Sequence, residues 1–199
     1  MTGAVYKSGR RNTLEYRVWS EWLEAADRLA KRYCGAIDGD DPFAYNECAS
    51  VSVLAAAAAC AGFVGLAEFS TAKASRENRG RAPGRSDFWM KAAGREWAFE
   101  FKQWLPVTAP KKRLESRMNA AETCAKHILS GSADAAVAGL IVPLYYIVDG
   151  VRANREQVIE RARKNLGEFA KTCDFAWTVG GGKKGLETWL LFRVARRWH

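Results

Sequence analysis

Three residues of this chain have types and a spacing that could support hydrolytic chemistry. They are Asp87, Glu100 and Lys102, and they lie in two stretches of alternating polar and apolar residues, 85–91 and 95–104. Alternation of this kind predicts two strands, and the short Ala-Ala-Gly segment between them predicts a hairpin turn. The three charged side chains are therefore expected close together in an otherwise aromatic hairpin.

The register of this hairpin can be predicted from its apolar faces and its charges. Setting Lys91 opposite Glu96 pairs unlike charges, and the same register sets Asp87 opposite Glu100. Alternation then places the side chain of Glu100 on the polar face and the ring of Phe101 in the core. Charges on an aromatic strand cost free energy when they are buried, unless they are paired or bind a metal.

The polar face of the hairpin suits a divalent cation. Two facing carboxylates repel each other, which raises their pKa values unless a cation lies between them. Mg²⁺ is commonly held by one or two carboxylates, with waters and substrate phosphate completing its octahedron. Lys102 shares this face, and it could orient and help to deprotonate an attacking water, with its own pKa lowered by burial and by the cation. These parts fit hydrolysis of a phosphodiester assisted by Mg²⁺ or Mn²⁺.

The residues that the chain lacks argue against several other chemistries. It has two histidines, His127 and the terminal His199. Serine-histidine triads, cysteine-histidine dyads and histidine-rich zinc sites would therefore lack residues that they need. Its five cysteines are widely spaced without a C-x-x-C pair, so neither a disulfide framework nor a zinc site is indicated. With no apolar leader at the start and no long apolar span, a reducing, cytoplasmic location without a membrane is expected.

The net charge of +9 and the pI of about 9.5 favour an anionic partner, with nucleic acid first. Solubility alone would also account for such a charge. Six cations are candidates for contacts to a phosphate backbone: Lys111, Lys112, Arg113 and Arg117 at the start of a predicted helix, and Lys183 and Lys184 in a glycine-rich hairpin tip. Cations at a helix N-terminus oppose the helix dipole, a cost that a docked anion would offset. A solvated basic face explains them equally well.

Apolar spacing and capping residues predict four helices and six strands. The helices are expected at 14–33, 41–61, 111–129 and after Asn154, and the strands at 63–73, 85–91, 95–104, 135–148, 175–179 and 188–194. Pro143 is expected to bend or end its strand. The second helix is apolar on nearly all sides after Ser52, so we expect it to be buried. Residues 1–13 are expected to form a loose basic arm, and residues 74–84 a polar loop.

The order α-α-β-β-β-α-β-α-β-β predicts an α/β fold with a mixed sheet and helices on both faces. A chain of 199 residues with 48% hydrophobic content is expected to be one domain, residues 1–199, with a substantial core. We find no internal repeat and no linker that would mark a second domain.

The middle of the chain resembles the PD-(D/E)xK, or restriction-endonuclease-like, nuclease superfamily, which includes restriction endonucleases, Holliday-junction resolvases and recombination exonucleases. The resemblance is carried by Asp87 on one strand and Glu100-Phe101-Lys102 on the next, preceded by a helix and a strand and followed by a helix. The predicted order from residue 41 to residue 148 matches the α-β-β-β-α-β core of that superfamily. One departure is Ser86, at a variable position where the motif's name has proline. No subfamily is singled out.

The resemblance implies a role for each residue of the motif. Asp87, Glu100 and the backbone carbonyl of Phe101 would be the metal ligands, and Lys102 would be the catalytic lysine. The activity implied is that of a Mg²⁺- or Mn²⁺-dependent endo- or exodeoxyribonuclease, with DNA favoured over RNA as the partner. A homodimer is allowed as an alternative to a monomer.

Many members of the superfamily add a glutamate from the helix before the first strand. Glu47 is the candidate for that role and Glu68 is the second choice. An ordinary capping or surface carboxylate is an equally good interpretation of Glu47. Gln103 directly follows the motif, as a glutamine does in some members, and is a further candidate for the catalytic site.

Two other functions are compatible with the sequence. The first is a non-catalytic accessory factor on the same fold, which binds nucleic acid or inhibits a protein, for example in phage–host conflict; the intact motif argues against it. The second is an enzyme that acts on RNA, with bases stacked on some of the eight tryptophans. Most of the aromatic residues fall at core-periodic positions, which favours packing. The hairpin could also be an ordinary solvent-facing strand pair whose Glu-Lys contact contributes little.

Overall fold

Four helices and a seven-stranded mixed sheet form the part of the chain that the computed structural model describes, residues 6–37, 39–74, 81–105, 109–144, 155–180 and 187–198. The helices are α1 (Leu14–Ala36), α2 (Glu47–Cys60), α3 (Lys111–Ala125) and α4 (Arg155–Ala170). The strands are β1 (Lys7–Gly9), β2 (Val64–Ala74), β3 (Arg81–Ala92), β4 (Arg95–Gln103), β5 (Ala135–Pro143), β6 (Phe175–Gly180) and β7 (Glu187–Arg197).

The sheet has the strand order β1-β6-β7-β5-β4-β3-β2. Neighbouring strands are antiparallel except β4 and β5, which pair in parallel. A parallel pair needs a crossover connection, and α3 supplies it. From α2 to β5 the elements follow in the order α-β-β-β-α-β, and β4 lies in the interior of the sheet with neighbours on both sides.

Helices cover both faces of the sheet, which confirms the predicted α/β layering. On one face α1 and α2 pack against an aromatic core, in which the rings of Trp19 and Trp22 lie 5.6 and 5.2 Å from that of Phe99. On the other face α3 and α4 pack against small and aliphatic residues of β4, β5 and β7. The predicted buried stripe of the third helix is confirmed, since Leu114 and Met118 are fully buried in this second core.

The prediction of one helix over residues 41–61 is wrong in two respects. Asp41 caps a short 3₁₀ turn over Pro42–Ala44, and α2 begins separately after Asn46, whose Oδ1 accepts a hydrogen bond from the N–H of Ala49 at 2.8 Å. Helix α2 is also not buried all round. One face packs against α1 and the sheet, whereas Ser52, Ala56, Ala59 and Cys60 are exposed to solvent. Small side chains allow that exposure at little cost in free energy.

Two segments predicted to lack regular structure belong to the sheet. Residues 7–9 of the predicted loose arm form β1, which pairs with β6 at the sheet edge, and the N–H of Tyr6 donates to Oγ1 of Thr178 at 2.8 Å. The β2–β3 pairing runs as far as Ala74 opposite Arg81, so residues 81–84 are strand and not loop. Residues 1–5 and 75–80 lie outside the described residues.

Two predictions about the strands are confirmed by the structure. Strand β5 ends at Pro143, where an end or a bend was expected, although the N–H of Leu144 still donates to the carbonyl of Glu187 at 2.8 Å. The β3–β4 hairpin has Lys91 opposite Glu96, and its two-residue turn places Ala93 and Gly94 at positive φ, as a type I′ turn requires. The five cysteines are free thiols. No described helix is both long enough and apolar enough to cross a bilayer.

Candidate active site

The β3–β4 ladder stops beside the motif residues. Its last pair is Phe88 opposite Phe99, one step before Asp87 and Glu100 would face each other, so that cross-strand pair is not formed. Beyond this point side chains hold the strands together. The N–H of Phe101 donates to Oδ2 of Asp87 at 2.7 Å. The hydroxyl of the fully buried Ser86 donates to the carbonyl of Phe99 at 2.9 Å.

Phe101 anchors this end of β4 in the aromatic core. Its ring is fully buried, and in the parallel pairing with β5 it lies directly over Gly139. A Cβ atom at Gly139 would lie 2.3 Å from two carbons of the ring, so only glycine leaves the space that the ring occupies. Since alternate side chains of a strand point to opposite faces, this anchor turns Glu100 and Lys102 towards the other face of the sheet.

Of the two carboxylates of the motif, Glu100 is buried and Asp87 is partly buried, and they are close enough to influence each other. Glu100 is 3% exposed, and burial together with the neighbouring charge of Asp87 raises its pKa to about 7, although Lys73 opposes the shift. Burial also raises the pKa of Asp87, with the Phe101 N–H opposing it. Both carboxyl groups are therefore held in surroundings that disfavour their ionised forms, and added positive charge would stabilise them.

Lys102 is held by main-chain and side-chain acceptors. Its Nζ donates to the carbonyl of Phe101 at 2.6 Å and to Oε1 of Glu47 at 3.2 Å. Burial lowers the pKa of Lys102, but the carboxylates of Glu47 and Asp87 more than offset this, and the net shift is upward. Two nearby negative charges thus stabilise the ammonium form of Lys102, whereas the expected lowering of its pKa also counted on a bound cation.

Glu47 and Gln103 connect the end of β4 to the start of α2. The second carboxylate oxygen of Glu47 accepts the N–H of Gln103 at 2.9 Å. The amide of Gln103 donates to the carbonyl of Phe43 at 2.8 Å and accepts from the Ser50 hydroxyl at 2.9 Å. Glu47 thus contacts the motif directly, whereas the side chain of Gln103 faces the helix and positions the strand end.

The structure also brings to the site a lysine that was not predicted from the sequence. Nζ of Lys73, near the end of β2, lies 2.7 Å from Oε1 of Glu100. Its methylene stem passes over Gly84, where a Cβ atom would lie 2.8 Å from Cγ and Cδ of the lysine. The sequence feature that could have predicted this contact is a lysine and a glycine, Lys73 and Gly84, on the two strands of a long hairpin. It can be recognised only when residues 81–84 are assigned to a strand.

Glu68, the second candidate for the helix-side glutamate, lies on β2 between the residues that pair with Phe88 and Ser86. It sits in β2 with a left-handed φ of 53° and an exposed side chain, and it forms an ion pair with Arg85 at 3.3 Å. Among the two glutamates considered for that role, Glu47 is the one that touches the motif lysine.

The basic residues at the start of α3 form a separate surface. Lys111, Lys112, Arg113 and Arg117 are exposed, and none of them forms an ion pair with a residue in the described ranges. Lys111 and Lys112 border an open hollow of about 730 Å³. The strongest electrostatic influences on Asp87, Glu100 and Lys102 come from one another, from Glu47 and from Lys73 rather than from this surface. Lys183 and Lys184 lie outside the described residues.

The donor set of the site consists of oxygen atoms. Within the described ranges, no group of three or more His, Cys, Asp or Glu side chains is arranged to hold a metal ion. A cation would therefore depend on the carboxylates of Asp87 and Glu100 and the carbonyl of Phe101. Mg²⁺ accepts such a set, since it commonly takes one or two carboxylates and fills its other positions with water and phosphate.

Comparisons with protein-family models, with curated proteins and with solved structures found no match to this chain. No family assignment follows from them. The function has to be argued from the side chains of the site and their contacts.

Proposed function

We propose that this chain is a Mg²⁺- or Mn²⁺-dependent nuclease that hydrolyses DNA phosphodiester bonds through a site of the PD-(D/E)xK type. The observation that carries the proposal is the meeting of Asp87, Glu100 and Lys102 where β3 and β4 separate, with Glu47 bound to the lysine. The order of elements from α2 to β5, α-β-β-β-α-β, supports it, because this is the order of the superfamily core.

The residues present fit a divalent cation by their chemistry. Asp87 is partly buried and Glu100 is buried, and burial raises the pKa values of both carboxyl groups, so a bound cation would stabilise their ionised forms. They would hold the cation together with the carbonyl oxygen of Phe101. When bound, such a cation supplies positive charge to the phosphate and makes a water molecule more acidic.

Lys102 acts in this proposal as a positioned cation. Its raised pKa keeps it protonated near neutral pH, so it can donate hydrogen bonds to an attacking water or to a phosphate oxygen, but it is a poor proton acceptor. The Glu47 carboxylate and the Phe101 carbonyl fix the direction of its Nζ. Negative charge that develops on the phosphate is then stabilised without reorganisation of the side chain.

The basic surface at the start of α3 supports a nucleic-acid substrate. Its four cations are exposed and have no ion-pair partners among the described residues, so phosphate groups of a nucleic acid could form ion pairs with them. Contacts of this kind give affinity and dependence on salt but do not read sequence. We place DNA ahead of RNA because of the resemblance of the motif.

Cleavage of supercoiled and linear DNA in Mg²⁺, in Mn²⁺ and in chelator tests the proposal. Glu100→Gln, Asp87→Asn and Lys102→Met should each lose activity by at least about 10²-fold while circular dichroism stays unchanged. Glu96→Gln and Lys91→Met are the matched controls. They change the same residue types on the same two strands, in an exposed ion pair at 2.7 Å, and should cleave like wild type. Equal cleavage by wild type and Lys102→Met would refute the mechanism.

The Lys73–Glu100 ion pair favours a second candidate function, that of a non-catalytic DNA-binding factor. A glutamate whose charge is already balanced at 2.7 Å needs no metal. Binding of DNA in chelator, together with no cleavage under any divalent cation, would support this alternative.

A further inference from the structure

Glu100 has a specific charge partner that the motif does not contain. Nζ of Lys73 lies 2.7 Å from Oε1 of Glu100, and the two side chains are 22% and 5% exposed. Lys102, the lysine of the motif, is bound to Glu47 and to the carbonyl of Phe101. The charge of Glu100 is therefore balanced by a residue from β2, two strands away in the sheet.

The position of Lys73 is built into the fold. Its backbone pairs with Ile128 in an isolated bridge, which fixes the end of β2 against the segment that follows α3. Its stem crosses Gly84, and a side chain at that position would overlap Cγ and Cδ of the lysine. The chain thus leaves a path along which the ammonium group reaches a nearly buried carboxylate.

The Lys73–Glu100 pair differs from other short ion pairs of the sheet in its burial. Its carboxylate side chain is 5% exposed and its lysine side chain 22%. No such arrangement exists at Lys91 and Glu96, an equally short pair on the same sheet that is exposed to solvent.

We propose that Lys73 is the counter-ion of Glu100, that it competes with a divalent cation for this carboxylate, and that the cation binds as the lysine withdraws. This inference rests on the proposed metal-dependent function. An ammonium group and a divalent cation repel each other at close range, so each weakens the binding of the other to the same carboxylate. Lys73 is then a positioning residue that sets the affinity of the site for metal.

Binding of Mn²⁺ to the full chain, followed at pH 8 by the electron paramagnetic resonance signal of the free ion and by calorimetry, tests this directly. Lys73→Met should bind Mn²⁺ tighter than wild type by roughly tenfold or more, because a repelling charge is removed. Lys73→Arg keeps the charge and should stay near wild type. Lys91→Met is the matched control, since it removes the same charge from an exposed pair, and its affinity should not change.

Gly84→Ala provides a second variant that alters no charge. Its new methyl group would push the lysine stem away from Glu100, so Mn²⁺ affinity should again rise. Unchanged or weaker affinity in both Lys73→Met and Gly84→Ala, with binding lost in Glu100→Gln, would overturn the role of Lys73 and leave the metal site standing. Absence of Mn²⁺ binding in wild type and in every variant would overturn both this inference and the metal-dependent function.

Discussion

Asp87 and Phe101 are joined by a hydrogen bond in which Oδ2 of the carboxylate accepts the backbone N–H at 2.7 Å. Continued strand pairing would have placed Phe101 opposite Ser86. Because the pairing ends before this point, the side chain of Asp87 accepts the N–H of Phe101 in place of a backbone carbonyl. One carboxylate oxygen thus serves the fold, and the other accepts no hydrogen bond from any residue that the structure describes. The residue that would hold a metal is therefore also the residue that holds the end of the hairpin together.

This double role predicts different results for two substitutions of Asp87. In Asp87→Asn the amide oxygen can still accept the Phe101 N–H, so the free energy of unfolding should change little while DNA cleavage is lost. In Asp87→Ala the N–H loses its partner in a largely buried place, and the free energy of unfolding should fall by about 1–3 kcal/mol as well. Urea denaturation and a cleavage assay on both variants check this. Equal stability of the two variants would contradict the structural role.

The contact between Glu47 and Lys102 predicts a change in the pKa of the lysine. Glu47→Gln keeps an acceptor for the N–H of Gln103 but removes the negative charge 3.2 Å from Nζ, so the pKa of Lys102 should fall. The carbon chemical shift next to Nζ, followed by NMR against pH, measures it. Cleavage should decrease by about 10²-fold because the ammonium loses its fixed direction. Glu96→Gln is the control, and a Lys102 pKa that does not move in Glu47→Gln would contradict the prediction.

The packing of Phe101 on Gly139 predicts a large effect of one methyl group. Gly139→Ala would place a Cβ 2.3 Å from the ring, so the ring and the strand end must move. We expect a loss of about 1–3 kcal/mol or more in the free energy of unfolding, together with reduced cleavage. Gly167→Ala is the matched control in α4, where nothing lies within 4 Å of the added methyl, and its stability should rise by up to about 1 kcal/mol.

The raised pKa of Glu100 predicts how stability depends on pH. Its pKa is about 7 in the folded protein against an ordinary 4.5, so the folded state binds this proton more tightly than the unfolded state. The resulting stabilisation is complete below pH 4.5 and is lost as the pH rises through about 7. Relative to Glu100→Gln, wild type should therefore lose about 3 kcal/mol of unfolding free energy between pH 4 and pH 8.

Denaturant titrations of both proteins in chelator at these two pH values measure that difference. The comparison cancels the titration of groups far from the site, since both proteins carry them. A constant difference between wild type and Glu100→Gln across the range would show that Glu100 titrates normally.

Much of the local structure could be predicted because it depends on neighbours in the chain. The pairing of Lys91 with Glu96 depends on a short turn and on alternating side chains, both of which can be read directly in the hairpin. Strand β5 ends at Pro143, the residue at which an end or a bend was expected. The spans of α1 and α3 follow from their apolar spacing.

The predictions for the start of α2 and for β1 failed because local sequence preferences there are weaker than the contacts made in the folded protein. Asp41 followed by Pro42 is a good helix start, but Asn46 offers a second cap a few residues later, and packing against α1 and the sheet selected it. The short β1 was missed because three residues without an apolar pattern become a strand only when β6 offers an edge to pair with.

The sequence by itself determined which groups could do chemistry and on which strands they would lie, because residue type and alternation are local properties. Only the tertiary structure decided how their charges are balanced. Lys73 reaches Glu100 across 27 residues of chain and Glu47 reaches Lys102 across 55. The contact with Glu47 raises the pKa of Lys102, and the contact with Lys73 opposes the rise that burial causes at Glu100. Electrostatic energy depends on distances of a few ångströms in space, which separation along the chain does not specify.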